Sequence, residues 1–319
     1  MNIKIFKKLK EIDRLDLSII IISIITFFLF VGTGFINSEF YKINNILTIF
    51  RLSTIFMVIG LGQGFVILTG GIDLSVPWIM TTAGILLTTL SKGNDETLLW
   101  VIPVVLFCGG VIGLINGIGI AYLNIEPLIM TLATNTIIRG LILVAVKGTP
   151  RGLTPPAVTT MMSGNFLGRL SLIFLIVFSL IVLSSLILKR TTYGRRLYAI
   201  GNSKYAAFLS GINVKHHLVS VYIISGLLFS FGGIMLTGYS TLAFVNMGDP
   251  YLLPSIATVV VGGASIVGGR GKPLGTVLGA ILLTILSTIL TALILPAAIR
   301  NIIYGLVILL AVFFSRQSD

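Results

Sequence analysis

Asp73 stands alone among acidic residues between Glu39 and Asp95, inside the stretch GQGFVILTGGIDLSVP, Gly62 to Pro77. A carboxylate in such apolar surroundings is costly, so its position suggests three jobs: capping a helix start with Ser75, lining a solute path, or carrying a proton. Gly70 and Gly71 precede it and reach backbone angles closed to other residues, which lets the apolar run break without a hydrophilic loop. Gly262 and Gly263, in VGGASIV (Val261 to Val267), echo that pair, although two shared glycines establish no repeat. Arg139 lies about twelve residues into an apolar run, with Asn135 one helical turn earlier on the same face. It either snorkels to the membrane surface, pairs with a carboxylate, or donates hydrogen bonds in a translocation path.

Other chemistries are excluded by what surrounds these residues. His216 and His217 are the two histidines, they sit together beside a basic loop, and no Ser/His or His/Glu arrangement of catalytic spacing accompanies them. Cys108, the single cysteine, falls in an apolar run and reads as packing, which leaves no disulfide framework and no thiolate cluster. The chain has no GxxxxGK[ST] phosphate loop, so any ATP must be hydrolysed elsewhere.

The elements that must position these residues are membrane helices. Of 319 residues 55% are hydrophobic and 10% charged, with a mean hydropathy of +1.07, whereas a wettable surface needs roughly a quarter charged. The net charge of +12 is therefore a topology signal and not a nucleic-acid footprint. Runs long enough to cross about 30 Å of hydrocarbon predict an all-α, polytopic protein of about ten spans. They are Leu17 to Phe35, Leu52 to Leu68, Leu74 to Leu90, Leu98 to Tyr122, Pro127 to Val146, Leu170 to Leu188, Leu218 to Thr237, Leu253 to Val267, Leu274 to Leu293, and Pro296 to Phe314. A β-barrel is excluded because the runs are continuously apolar.

Charge sets the orientation. With Lys4, Lys7, Lys8, Lys10 and Arg14 inside, that side holds 14 Lys and Arg and the other side 7, so both termini are expected in the cytoplasm. The first apolar run is too long for a signal-peptide core and reads as a retained helix. The whole chain, 1–319, reads as one transmembrane domain with a cytoplasmic segment at 1–16 and a cytoplasmic loop at 189–217. Gly109, Gly113 and Gly117, and again Gly275 and Gly279, repeat at every fourth position and predict closely packed helices.

The loop Lys189 to His217 carries six Lys or Arg and no acid, yet an apolar patch from Tyr205 to Leu209 sits within it. That patch reads as a short helix opening after Asn202 or Ser203 and stopping at Gly211, suited to a partner's groove or to lipid. On the opposite side Tyr239 to Leu252 is mixed polar and aromatic, with Asp249 its one charge and Tyr251 close by.

TGGIDLS (Thr69 to Ser75), NIEPLIMTLATNTIIRGL (Asn124 to Leu141), GNSKYAAFLSGINV (Gly201 to Val214) and VVVGGASIVGGRGKPLGTVLGA (Val259 to Ala280) resemble the membrane subunits of ribose-type and galactose-type ABC importers, in that family's order. The resemblance implies an ABC importer permease fold in the bacterial cytoplasmic membrane. It also implies that Ala206, Ala207 and Gly211 belong to a coupling helix, with Asn202, Tyr205 and Leu209 beside them. Implied partners are a second permease copy or homologue, a cytoplasmic ATPase holding ATP and Mg, an extracytoplasmic binding protein touching Asp249 and Tyr251, and membrane lipid. No cofactor is expected on this chain. Gly70, Gly71, Asp73, Ser75, Asn135, Arg139, Gly262 and Gly263 are the expected path or gate. Neutral polar residues in the spans (Gln63, Thr81, Thr82, Asn116, Thr131, Asn135 and Ser255) suit a small neutral polyhydroxylated solute such as ribose, galactose or xylose. An ion-coupled secondary transporter is the alternative, with Asp73 as its carboxylate.

Overall fold

The structure is a computed structural model that describes residues 14–36, 38–148, 152–164 and 171–316. Lys4, Lys7, Lys8 and Lys10 of the N-terminal segment, Arg151, Arg169 and the predicted span start Leu170 lie outside the described residues. The described residues are helical, joined by turns, with no strand among them. In chain order the helices are α1 (Arg14–Ile36), α2 (Ile43–Leu68), α3 (Val76–Ser91), α4 (Leu98–Ala121), α5 (Pro127–Val146), α6 (Pro156–Ser163) and α7 (Leu172–Arg190). They continue with α8 (Thr192–Asn202), α9 (Lys204–Leu209), α10 (Val214–Ser240), α11 (Leu252–Val261), α12 (Pro273–Ala292) and α13 (Ala297–Arg316).

Among the described residues 6 helices are long and apolar enough to cross a membrane: Ile43–Leu68, Asp95–Ala121, Pro127–Val146, Leu172–Arg190, Val214–Ser240 and Pro273–Ala292. Val76–Ser91 and Asp249–Val261 are apolar but shorter, and Ile22–Gly34 and Ala297–Phe313 are apolar stretches within α1 and α13. The expected eighth span is the largest departure from the hydropathy reading. Its helix α11 has 10 residues, about 15 Å of rise, and stops at Val261 instead of running to Val267.

Glycine explains that stop. After α11 the Gly263 amide bonds to Val260 O and the Ala264 amide to Val259 O, with Gly263 at φ +88°. After α2 the Gly70 amide bonds to Ile67 O and the Gly71 amide to Val66 O, with Gly70 at φ +77°. Both are Schellman ends, in which a left-handed residue satisfies the last carbonyls. The two glycine pairs thus share a backbone cap in a register shifted by one residue, Gly70 matching Gly263 and Gly71 matching Ala264.

Helix α10 runs through the centre, against α4, α2 and α3. A Cβ at Gly113 would fall on Tyr222 O, one at Gly109 on Gly226 O, and one at Gly117 on the Val219 backbone at 2.7 Å. The every-fourth glycines of α4 therefore let two backbones meet, as small residues do between membrane helices. Gly275 and Gly279 of α12 do the same against Gly262 and Thr258 of α11. On α5 the buried residues are Pro127, Thr131, Thr134 and Ile138, so this helix packs by one narrow stripe.

Two long helices end in non-helical segments that lead into shorter ones, an irregular stretch in one case and a series of bends and turns in the other. Residues 71–75 join α2 to α3, and 241–248 with a 3-10 turn at Asp249–Tyr251 join α10 to α11. The starts of the two shorter helices meet, because the Gly248 amide donates to Thr81 Oγ1 at 3.1 Å and a Cβ on Gly248 would fall on Pro77 O.

Candidate translocation path and coupling segment

A non-helical segment inside an apolar bundle has backbone groups that no helix satisfies, so side chains must do it. Asp73, 0% exposed, accepts the Ser75 amide at 2.8 Å and the Ser75 hydroxyl on the same oxygen. Asn116 of α4 donates to Ser75 Oγ at 3.0 Å. The Leu74 amide donates to Thr131 Oγ1 of α5 at 2.9 Å, and Ser225 of α10 lies 3.4 Å from the other Asp73 oxygen. Gln63 of α2, with its amide oriented to suit, pairs with the Asp73 backbone oxygen and nitrogen at 3.2 and 3.1 Å. Asp73 and Ser75 thus set the start of α3 through the Asp73 carboxylate, while the Ser75 side chain bonds back to Asp73 and makes no cap bond of its own.

Most of the neutral polar residues expected to face solute are occupied in this way. Thr81 bonds to Pro77 O at 2.8 Å and receives Gly248, Ser255 bonds to Leu252 O at 2.7 Å, and Gln63, Asn116 and Thr131 hold 71–75. Thr82 Oγ1, Asn135 Oδ1 and the Oδ1 of Asn116, whose amide nitrogen alone is engaged, are buried with no partner. Arg139 is exposed at the bundle surface with its guanidinium carbon 5.9 Å from the centre of the Trp78 ring, a cation–π placement. It therefore lies across the first turn of α3. Sequence reasoning passed over Trp78, whose apolar setting resembles any core aromatic.

Asp249 and Tyr251 belong to a segment held against α3 and α2. Gly248 is packed on Pro77, Asp249 lies within electrostatic reach of Arg139, and the Tyr251 ring sits 5.2 Å from Phe56 of α2.

At the end of the bundle bearing α8 and α9, the two glycine breaks come together. The Gly269 amide donates to Leu68 O at 2.9 Å and the Tyr198 hydroxyl to Gly271 O at 2.7 Å. A Cβ on Gly201 would fall on Leu68 O and Gly269 N, and one on Gly269 on Asn202 Oδ1. Asn202 is thus packed on the loop that follows α11. Burial pushes the Tyr198 phenol above its ordinary pKa while the Lys272 charge acts the other way, so it serves as a neutral donor. Tyr193 bonds to Ser220 of α10 at 2.8 Å and stacks on His217.

The expected short helix is present as α9. Ser203 accepts the Ala206 amide at 3.1 Å, and Gly211 at φ +77° ends it with a third Schellman pattern, Gly211 to Phe208 O and Ile212 to Ala207 O. Tyr205, Phe208 and Leu209 are exposed at 73%, 66% and 67%, while Ala207 is 3% exposed and packs with Ala121, Ile200 and Leu218. Phe208, absent from the expected coupling set, belongs to the presented face. The preceding helix α8 escaped the hydropathy reading because its sequence, TYGRRLYAIGN, is polar.

A bundle of apolar helices, interrupted twice by glycine-ended breaks whose short helices meet inside, defines a membrane transport protein of the discontinuous-helix kind. The profile of a family described as "Branched-chain amino acid transport system / permease component" matches residues 45–312, and the chain belongs to this permease family. It is 37% identical to the ribose import permease protein RbsC of Bacillus subtilis over 92% of this chain and 91% of that protein. It is 35% identical to RbsC of Haemophilus influenzae over 76% of each. It is 34% identical to the D-allose transport system permease protein AlsC of Escherichia coli over 75% of this chain and 73% of that one. No solved structure gives a significant match. The protein is a multi-pass membrane permease.

Proposed function

We propose that this chain is the membrane subunit of an ATP-driven importer that forms the path for a neutral monosaccharide of the ribose, galactose or allose kind. The observation that carries the solute class is the named transport activity of its relatives, ribose import for the one sharing 37% identity over 92% of the chain. The bonds from the Ser75 amide and hydroxyl to one Asp73 oxygen support a structural cap over an ion carrier.

In this reading the chain crosses the bacterial cytoplasmic membrane about ten times, the shorter helices α3 and α11 counting with their non-helical segments, and both termini are cytoplasmic. Asn202, Tyr205, Ala206, Leu209 and Phe208 face the ATPase, and Ala207 and Gly211 shape the helix that presents them. ATP and Mg reside on that subunit. Gly70, Gly71, Asp73, Ser75, Gly262 and Gly263 form the breaks that open and close the path, and Asn135 and Arg139 line it. A second permease copy or homologue covers the exposed apolar side of α5, such as Ile129, Leu132 and Ile137, outside its narrow buried stripe. The binding protein docks at the end opposite α9, where Leu242 and Phe244 are exposed.

ATP-driven uptake into vesicles holding the complete complex, with labelled ribose, galactose, allose, xylose and leucine compared, tests the reading. Transport of leucine and of none of the sugars would overturn it.

A further inference from the structure

Contact with a binding protein is the expectation for Asp249, and its surroundings suit a further role. Gly248, its neighbour, is hydrogen-bonded to Thr81 and seated on Pro77, both in the first two turns of α3. Arg139 lies over Trp78 in the same turn of α3. Two opposite charges, from α5 and from the 3-10 turn before α11, thus hang on one short stretch of α3, within electrostatic reach of each other and with no ion pair between them among the described residues. Both side chains are exposed at the surface of this chain.

Depth makes that exposure informative. Arg139 is twelve residues past Pro127, the first residue of α5, and seven before Val146, its last, so it lies about 18 Å along the helix from one end and about 10 Å from the other. Its guanidinium does not extend freely to either surface but rests over the Trp78 ring at the first turn of α3. A guanidinium exposed to hydrocarbon there would be expensive, so this face meets water or a polar solute. Asn135, one turn earlier, adds a buried carbonyl oxygen with no partner. Thr81 and Thr131, on the same two helices, already hold backbone groups, whereas Thr82 Oγ1 is, like Asn135 Oδ1, buried with no partner.

We propose that Arg139 and Asp249 form a specificity-determining pair in the path, bridged by hydroxyl groups of the passing solute. This deepens the sugar reading above and rests on it. A hydroxyl both donates and accepts, so a vicinal diol set between a guanidinium and a carboxylate satisfies both, with Asn135 Oδ1 accepting from a further hydroxyl. The two charges cancel, so an anion or cation attracted by one head is repelled by the other. A site built to bond hydroxyls also rejects an apolar solute of similar size, because its polar groups would stay unpaired.

The test uses the complete complex in lipid vesicles, this permease with its own ATPase and binding protein, and labelled D-ribose, D-galactose and D-allose. Asp249→Asn and Arg139→Gln should each lower uptake at least tenfold at wild-type membrane levels. The concentration of loaded binding protein that half-maximally stimulates ATP hydrolysis should not change. The exchanged double variant, Arg139→Asp with Asp249→Arg, should regain part of the uptake that either single variant loses. Wild-type uptake by either single variant overturns the proposal, and so does a shift in that half-maximal concentration large enough to explain the loss, which would make Asp249 a docking residue. A wild-type complex that moves none of the three sugars overturns the sugar reading itself, whereas sugar uptake indifferent to both substitutions overturns only the pair.

Discussion

The Gly269 amide donates to the Leu68 carbonyl at 2.9 Å, so the loop following α11 is hydrogen-bonded to the last turn of α2. Gly201 of α8 closes over that bond with no space for a Cβ. Contacts of backbone on backbone do not yield gradually, because packed interiors have little compressibility. A displacement of α8 and α9 therefore reaches the base of both helix breaks together. The segment facing the ATPase in the proposed reading is thereby joined to the segments proposed to open.

Gly201→Ala should separate Leu68 from Gly269. The added methyl falls on backbone atoms of both, which have no flexible end to move aside, and overpacking of this kind costs about 1–3 kcal/mol. The thermal midpoint of the purified protein should drop and uptake should fall with it. An unchanged midpoint would show that the junction is looser than its geometry.

Residues of α9 should divide into two behaviours. Phe208→Asp is expected to insert at normal levels and to lose the ATPase, since its side chain is exposed, whereas Ala207→Asp places an uncompensated charge among Ala121, Ile200 and Leu218 and should reduce the amount of folded protein. Gly211→Leu meets open space but needs φ +77°, a conformational cost of about 1–2 kcal/mol. Membrane level, co-purification of the ATPase and uptake, measured side by side, separate these outcomes.

Asp73→Asn should retain substantial transport, because an amide oxygen still accepts from the Ser75 amide and hydroxyl. Asp73→Ala leaves the Ser75 amide without its partner and should destabilise by about 1–2 kcal/mol. Uptake by the asparagine variant should also be indifferent to a protonophore at constant ATP. Loss of uptake with the assembly intact would favour a proton-carrying carboxylate instead.

Single cysteines at Lys92, just past α3, and at Lys204, at the start of α9, are expected to react with a membrane-impermeant reagent from opposite sides of the membrane. Cys108 is replaced first to remove its background. Labelling of both from one side would contradict the proposed orientation.

Composition and the apolar runs were enough to establish a helical membrane protein, since charge this sparse cannot be wetted and each long run must be buried. TGGIDLS and the patch from Tyr205 to Leu209 were legible for a related reason. A glycine pair, a lone carboxylate and an exposed apolar patch in a basic loop are local departures from background. The helix caps at Ser203, Gly211 and Gly70 followed too, because capping depends on neighbours within a few residues. Helix α8 was not legible, as a polar helix held by Tyr193 and Tyr198 has no hydropathy signature. Nor was the extent of α11, because Val261 and Val267 are equally apolar and a glycine pair can either end a helix or pack inside one; the Schellman end at Gly263 and the packing of Gly262 on Gly275 show where the chain turns. The roles of Gln63, Asn116 and Thr131 were decided by tertiary structure alone. Each is an ordinary polar residue in an apolar helix until residues 71–75 leave their backbone groups unsatisfied beside it. The approach of Asp249 to Arg139 depends likewise on Gly248 reaching Pro77, a contact between residues far apart in sequence that no local pattern encodes.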